Sequence, residues 1–206
     1  MTPGDFAALV DVSRETVIRL ETYLDLIRRW QRAINLVGPS TLDDPWRRHI
    51  LDSAQLLRHL PATPAALYDL GSGAGLPGMV LAIMGHGDVH LVESDRRKVQ
   101  FLKEAARVLD LSIAIHEQRI EALPAACATV ITARALAPLP VLLDLAAPLL
   151  QPGGQCLFLK GRRLPDELTE ARKCWRMTNH SFASLSEPSA SVLKLWDIER
   201  APLHRE

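Results

Sequence analysis

At 206 residues with 48% hydrophobic content, the chain can bury one substantial core. Its 24 basic and 24 acidic residues give a formal net charge of zero. No global positive field attracts phosphates, so any nucleic-acid binding must come from local clusters. No apolar run reaches membrane-spanning length and no signal-peptide pattern opens the sequence, so a cytoplasmic protein without a membrane partner is expected. Cys127, Cys156 and Cys174 lack C-x-x-C spacing and read as reduced, buried thiols.

Residues 1–64 are predicted to form a helical extension ahead of a core spanning 65–206. Ser13 suits an N-cap, and Val17, Leu20, Leu24 and Ile27 recur on one helical face. Asp25 can pair with Arg28 and Arg29 on the opposite, solvated face. Asn35 to Ser40 breaks the helix as a loop, and a second helix starts near Asp44-Pro45. On it His49, Asp52 and Ser53 share one stripe. A His-x-x-Asp pair without a third ligand does not make a metal site, so a polar patch packed against another part of the chain is expected. Trp30 and Trp46 read as core residues rather than RNA-stacking ones. Pro61 to Pro64 reads as a short stiff linker.

The core opens with an apolar run, Ala65 to Tyr68, then Asp69-Leu70-Gly71-Ser72-Gly73-Ala74-Gly75-Leu76-Pro77-Gly78, then Met79 to Ile83. Strand, glycine turn and helix start is the natural parse, with helix amides aimed above the strand. Gly73 to Gly78 fits the dinucleotide fingerprint G-x-G-x-x-G literally. Asp69 argues instead for a methyl donor, since a carboxylate would repel a pyrophosphate but suit the cationic amino group of a methionine moiety. Val89 to Glu93 reads as the second strand, and Glu93 at its carboxyl end can accept both hydroxyls of a ribose, with Asp95 the fallback.

A helix over 96–109 follows, then strands over 111–116 and 128–133, a helix over 138–150 and a fifth strand over 155–159 after Pro152-Gly153-Gly154. Arg119-Ile120-Glu121, Arg134 and the cluster Lys160-Gly161-Arg162-Arg163 fall at strand carboxyl ends, where open parallel sheets bind ligands. A helix near 165–175 and weaker strands over 182–185 and 191–198 complete a doubly wound, mostly parallel seven-stranded sheet ending in a hairpin.

With these segments placed, the chain resembles the bacterial ribosomal small-subunit methyltransferase G family, also called glucose-inhibited division protein B. The resemblance is carried by Asn35-Leu36, His49-Ile50-Leu51-Asp52-Ser53, the stretch from Asp69 to Gly78, Glu93 to Leu102, Arg134-Ala135-Leu136 and Leu159-Lys160-Gly161. It implies a Rossmann-like class I fold and transfer of a methyl group from S-adenosyl-L-methionine to guanine N7 of 16S rRNA in the small ribosomal subunit, at position 527 in standard rRNA numbering. It implies that Gly71 and Leu76 border the methionine end of the donor, and Asp69, Ser72, Gly73 and Gly75 complete the candidate donor site. Ile120 and Glu121 would then meet its adenine, and Arg134 would lie beside donor and target base. Asn35, His49, Lys160, Arg162 and Arg163 are the candidate RNA contacts. The family's basic C-terminal tail is reduced here to Leu203-His204-Arg205-Glu206, so no RNA contact is expected from it.

Guanine N7 carries a lone pair and no proton, so direct in-line transfer needs alignment and no general base. The lack of a nucleophile–His–Asp set fits that chemistry. No metal is expected, and a monomer is. The residues alone leave three other readings open: a methyltransferase for a small molecule or protein, a nicotinamide-dependent oxidoreductase, and a donor-binding ribosome-assembly factor without turnover.

Overall fold

The computed structural model describes residues 1–62 and 65–202. Seven strands, β1 (Leu67–Leu70), β2 (Val89–Glu93), β3 (Ala114–Glu117), β4 (Ala128–Arg134), β5 (Leu150–Lys160), β6 (Trp175–Ala183) and β7 (Ser191–Arg200), form one sheet in the order β3-β2-β1-β4-β5-β7-β6. The first five in that order run parallel, and β7 and β6 close it as an antiparallel pair. All four residues of β1 are buried, as a central strand covered on both faces requires.

Helices α1 (Pro3–Val10), α2 (Arg14–Gln31), the short α3 (Asp52–Ala54), α4 (Gly78–Ile83) and α5 (Arg96–Val108) lie on one face, and α6 (Leu139–Ala146) and α7 (Leu164–Ala171) on the other. Side chains of α2 (Leu20, Leu24, Ile27) share one apolar cluster with Leu67, Leu91 and Leu157 of the sheet. The amino-terminal helices are thus a layer of the main core. Ser13 caps α2 through Thr16 N–H at 3.1 Å, and Asp95 caps α5 through the amides of Arg97 and Lys98. Trp46 packs on Phe6 as an interior ring, and half-buried Trp30 packs edge-on against Phe101.

Several boundaries differ from the sequence expectation: β3 runs 114–117 rather than 111–116, the helix expected over 138–150 stops at Ala146, and three further differences carry structural reasons. The strand β5 begins at Leu150, ahead of Pro152-Gly153-Gly154, because the register with β4 shifts between Ala128 and Val130 and the glycines fit inside the irregularity. Gly154 has no room for more, since a Cβ there would sit 2.9 Å from the Gln151 carbonyl. The strand β6 starts at Trp175, the residue read as the end of a helix, and well before Phe182. It is an edge strand, half solvated, so its apolar alternation is weak. The segment after Asp44-Pro45 is one π-helical turn, Trp46–Leu51, running into α3, rather than a regular helix. Thr63 and Pro64 of the linker, and the tail from Leu203 to Glu206, lie outside the described residues.

Between β3 and β4 the described chain makes only a 3-10 turn, Ile120–Ala122, in place of a crossover helix. On that side Tyr68 stacks on His90 at 4.1 Å, and His90 Nδ1 meets His116 Nε2 at 2.9 Å.

Candidate active site

The glycine turn leaves the carboxyl end of β1 and is built from its own bonds. Gly71, Gly73 and Gly75 have φ of 63°, 56° and 85°, in the left-handed region that glycine adopts without strain. Ser72 stitches the turn to β2: its hydroxyl donates to the Asp69 carbonyl at 2.7 Å and accepts from Val92 N–H at 3.1 Å. Gly73 N–H donates to Glu93 Oε2 at 2.9 Å, while Asp95 N–H holds Oε1 at 2.8 Å. Glu93 therefore clamps the turn from the strand end where the sequence placed it.

Asp69 lies beneath the turn and not in front of it. It is fully buried, accepting from the Thr132 hydroxyl at 2.8 Å and from Gly78 N–H at 3.2 Å. Burial pushes its carboxyl up to about 6, against the lowering effect of those bonds, of Ser72 and of Arg134. The expected direct contact with a ligand's amino group is thus corrected: Asp69 positions the turn, and its carboxylate is no argument against a pyrophosphate. The expectation of unpaired helix amides changes with it, because α4 starts after Pro77 and its first amide is spent on Asp69. Gly78 makes this approach possible, since a Cβ there would lie 2.5 Å from Leu91 and 2.8 Å from Asp69 Cβ.

From the other layer, buried Tyr23 of α2 donates its hydroxyl to the Ala74 carbonyl inside the turn. Sequence reading passed over Tyr23, which looks like any other core position of an amphipathic helix. Tyr23→Phe is expected to cost about 1–3 kcal/mol, since it leaves a buried carbonyl without its donor. Urea unfolding checks this, and an unchanged midpoint would show that the bond carries nothing.

Above the turn opens a cavity of about 880 Å³. Gly71, Ser72, Gly73, Ala74 and Leu76 form its floor; His49, Asp52, Arg134, Lys160 and Arg162 stand around it, and the β6–β7 loop from Ser186 to Ser191 forms its far rim. Arg134, at the carboxyl end of β4, reaches the π-helical turn. Its Nη1 donates to the Arg48 carbonyl at 3.0 Å and to Asp52 Oδ2 at 3.3 Å, and both terminal nitrogens lie near His49 Nδ1. The Thr41 hydroxyl donates to the Gly38 carbonyl at 2.6 Å, so its 2.8 Å contact with His49 Nε2 is one in which the imidazole donates. That leaves Nδ1 as the acceptor for Arg134. Burial, with Arg134 and Arg48 nearby, pulls His49 down to about 3, so the ring is neutral at any working pH. Asp52 also accepts from Ser186 on the β6–β7 loop at 2.5 Å. The polar stripe expected on this segment does pack against distant chain, and its partners are Arg134 and Ser186.

Two candidate RNA contacts are displaced. Lys160 is buried, donating to the Ala137 carbonyl at 3.1 Å and pairing with Glu167 of α7, so it fastens β5 to α7 and offers no cation to a phosphate. Asn35 is exposed and does not line the cavity; its neighbours Leu36 and Val37 do, held by Gln31, whose Oε1 takes both their amides. Arg162 and Arg163 are exposed where β5 turns into α7, with Arg162 at the cavity. Gly75 is buried under the turn, where a Cβ would come within 2.9 Å of Met79 Cβ, so it serves packing. Glu93, half-buried Ile120 and exposed Glu121 sit at the carboxyl ends of β2 and β3, beyond the cavity's lining.

The sheet order, the antiparallel ending and the glycine turn under a polar cavity define a class I, Rossmann-like methyltransferase. Two solved structures share the fold. A SAM-dependent methyltransferase from Aquifex aeolicus superposes with a TM-score of 0.59 at 17% identity, covering 77% of this chain and 98% of that one. A putative S-adenosyl-L-methionine-dependent methyltransferase from Methanococcus maripaludis also gives 0.59, at 11% identity over 87% and 94%. The family model for rRNA small subunit methyltransferase G (GidB) matches residues 17–192, and the chain belongs to that family. It is 58% identical to the ribosomal RNA small subunit methyltransferase G of Rhodospirillum rubrum, over 98% of this chain and 100% of that one. With the protein of the same name from Rhodospirillum centenum the identity is 54%, over 94% and 90%.

Proposed function

We propose that the protein methylates N7 of guanine in 16S rRNA, at position 527 in standard rRNA numbering, using S-adenosyl-L-methionine. The observation that carries this reading is the glycine turn itself. Two left-handed glycines, Gly71 and Gly73, bare its backbone to an 880 Å³ cavity that also holds Arg134. A Cβ on Gly71 would strike Leu136 at 2.5 Å, so this floor stays open only with glycine. Gly71, Ser72, Gly73 and Leu76 would hold the methionine end, Glu93 the ribose hydroxyls through its remaining lone pairs, and Ile120 with Glu121 the adenine edge. When bound, the donor supplies an electrophilic methyl group on a sulfonium, which N7 displaces directly.

The protein's own part is alignment and exclusion of water. His49 is neutral with both ring nitrogens engaged, so it serves as a fixed polar wall rather than a base. That suits a target whose N7 has no proton to lose. Arg134 keeps donors free of the π-helical turn for a carboxylate of the donor or for O6 of the guanine. The small ribosomal subunit in the cytoplasm is the proposed setting, and no described helix is long and apolar enough to cross a membrane. The test is incubation with labelled S-adenosyl-L-methionine and small subunits, then mapping of the methyl group to a nucleotide. Label in protein or metabolite alone would overturn the reading.

Arg162 and Arg163 are proposed phosphate contacts. Arg162→Ala with Arg163→Ala is expected to weaken RNA binding and flatten its logarithmic salt dependence by about 1.5, at roughly 0.7–0.9 per phosphate contact. An unchanged slope in filter binding would remove both residues from the interface.

A further inference from the structure

A second concavity of about 390 Å³ lies on β5, β7 and β6, lined by Gly153, Gln155, His180, Phe182, Lys194 and Trp196. Cross-strand pairing puts His180 opposite Lys194 and Phe182 opposite Val192, so these side chains share one face of the sheet. On that face three rings form a column. His59 stacks on Phe182 at 4.1 Å, and Phe182 on His180 at 4.2 Å, with interplanar angles of 29° and 24°. The inner end is pinned, because the His59 carbonyl accepts from Gln155 Nε2 at 3.1 Å and from Lys194 Nζ at 3.5 Å. The outer end, His180, is exposed.

Cations converge here without acids. Among the described residues no Asp or Glu lines the groove, and Asp197, just past Trp196, is hydrogen-bonded to the Thr178 hydroxyl. Burial and the nearby Arg58, Lys194 and His180 all hold His59 below its ordinary value. A column of rings ending in the open, beside an ammonium, is the arrangement that takes a nucleobase on its face and a phosphate at its flank.

We infer that this groove binds a single-stranded segment of the RNA substrate, with one base continuing the column on His180 and its phosphate at Lys194. The inference rests on the reading of the protein as an rRNA enzyme. Gln155 in the groove and Lys160 near the cavity lie on the same strand, about 16 Å apart at strand rise, a span that one RNA substrate bridges.

The test titrates the full chain against a labelled single-stranded fragment of the substrate RNA, and in parallel measures methyl transfer to small subunits. His180→Ala is expected to weaken RNA affinity about tenfold and to raise KM for the subunit with kcat unchanged, while His180→Phe restores both. Lys194→Ala is expected to lower the salt slope of RNA binding by about 0.7. Unchanged affinity and slope in both alanine variants would overturn the groove. So would a KM effect on subunits without any on naked RNA, which would point to a ribosomal protein there. Wild-type protein that binds the RNA with this dependence but transfers no methyl to guanine would instead sink the enzymatic reading and leave the groove standing.

Discussion

Asp69→Ala is expected to destabilise the protein by about 2–4 kcal/mol and to cost most of its methyl-transfer activity. Two buried donors, the Thr132 hydroxyl and Gly78 N–H, lose their acceptor together. Each stranded donor costs about 1–3 kcal/mol, and some relief comes from removing a charge that burial disfavours. Asp69→Asn removes the charge and can accept from Gly78 N–H while its NH2 donates to a reoriented Thr132 hydroxyl, so at neutral pH it should fold with far smaller loss than the alanine variant. Its signature is a changed pH dependence. The Asp69 carboxyl titrates at about 6 when folded against 3.8 for the free group. The native state therefore holds the proton more tightly, and this group's contribution to stability falls as pH rises from about 4 to about 6. His49 runs the other way: with a folded value of about 3 against 6.5, stability is lost as pH falls below 6.5. Its shift is the larger, so acidification from neutral pH is net destabilising through these two groups. In Asp69→Asn the opposing contribution is gone and the acid loss steepens. In His49→Gln it is the acid loss that disappears. Urea midpoints between pH 4.5 and 7 measure both. An Asp69→Asn profile parallel to wild type would show that Asp69 does not titrate in this window.

Arg134→Ala is expected to lower kcat/KM for methyl transfer by roughly 100-fold or more, the scale of losing a positioning group in the cavity. It also strands Asp52, only partly exposed, which keeps its Ser186 and Gln55 bonds but no cation. Full burial of an unpaired carboxylate would cost about 3–5 kcal/mol; partial exposure and the two remaining donors bring the expected loss nearer 2 kcal/mol. Arg134→Lys should recover some stability but little activity, because one ammonium cannot bond Arg48, Asp52 and His49 together and still face the cavity. Steady-state kinetics with the donor varied, at fixed subunit, separate a carboxylate contact (raised donor KM) from a contact to the base (lowered kcat). Wild-type kinetics in Arg134→Ala would remove this residue from the site.

The sheet was legible from sequence wherever a strand is buried on both faces and a helix carries its own cap. β1, β2, β4 and the Ser13 cap are such places, whereas β3, an edge strand with no fully buried residue, begins at Ala114 rather than at 111. The edge strand β6 was not, since half its side chains meet solvent and its alternation competes with a helical reading. In the site, Gly71 to Ala74, Leu76, His49, Arg134 and Arg162 line one cavity, while Gly75 is packed beneath it. Burial decided the exceptions. Asp69 and Lys160 carry charges that sequence reads as available, and only the packing of Thr132 against one and Glu167 against the other shows them committed. Ser186 and Tyr23 reach the site from chain far away, and no local spacing announces either.

One apolar cluster runs from Phe6 to Val192, and it has a consequence for synthesis. As the chain emerges, the first sixty residues can close on β1, α4, β2 and α5, which supply most of the other members of that cluster, while Val130, Leu157, Leu159 and Val192 join it last. Contacts this distant in sequence delay the rate-limiting collapse. The newborn amino-terminal helices therefore find most of their apolar partners by Leu109, and β4, β5 and β7 complete the interior afterwards.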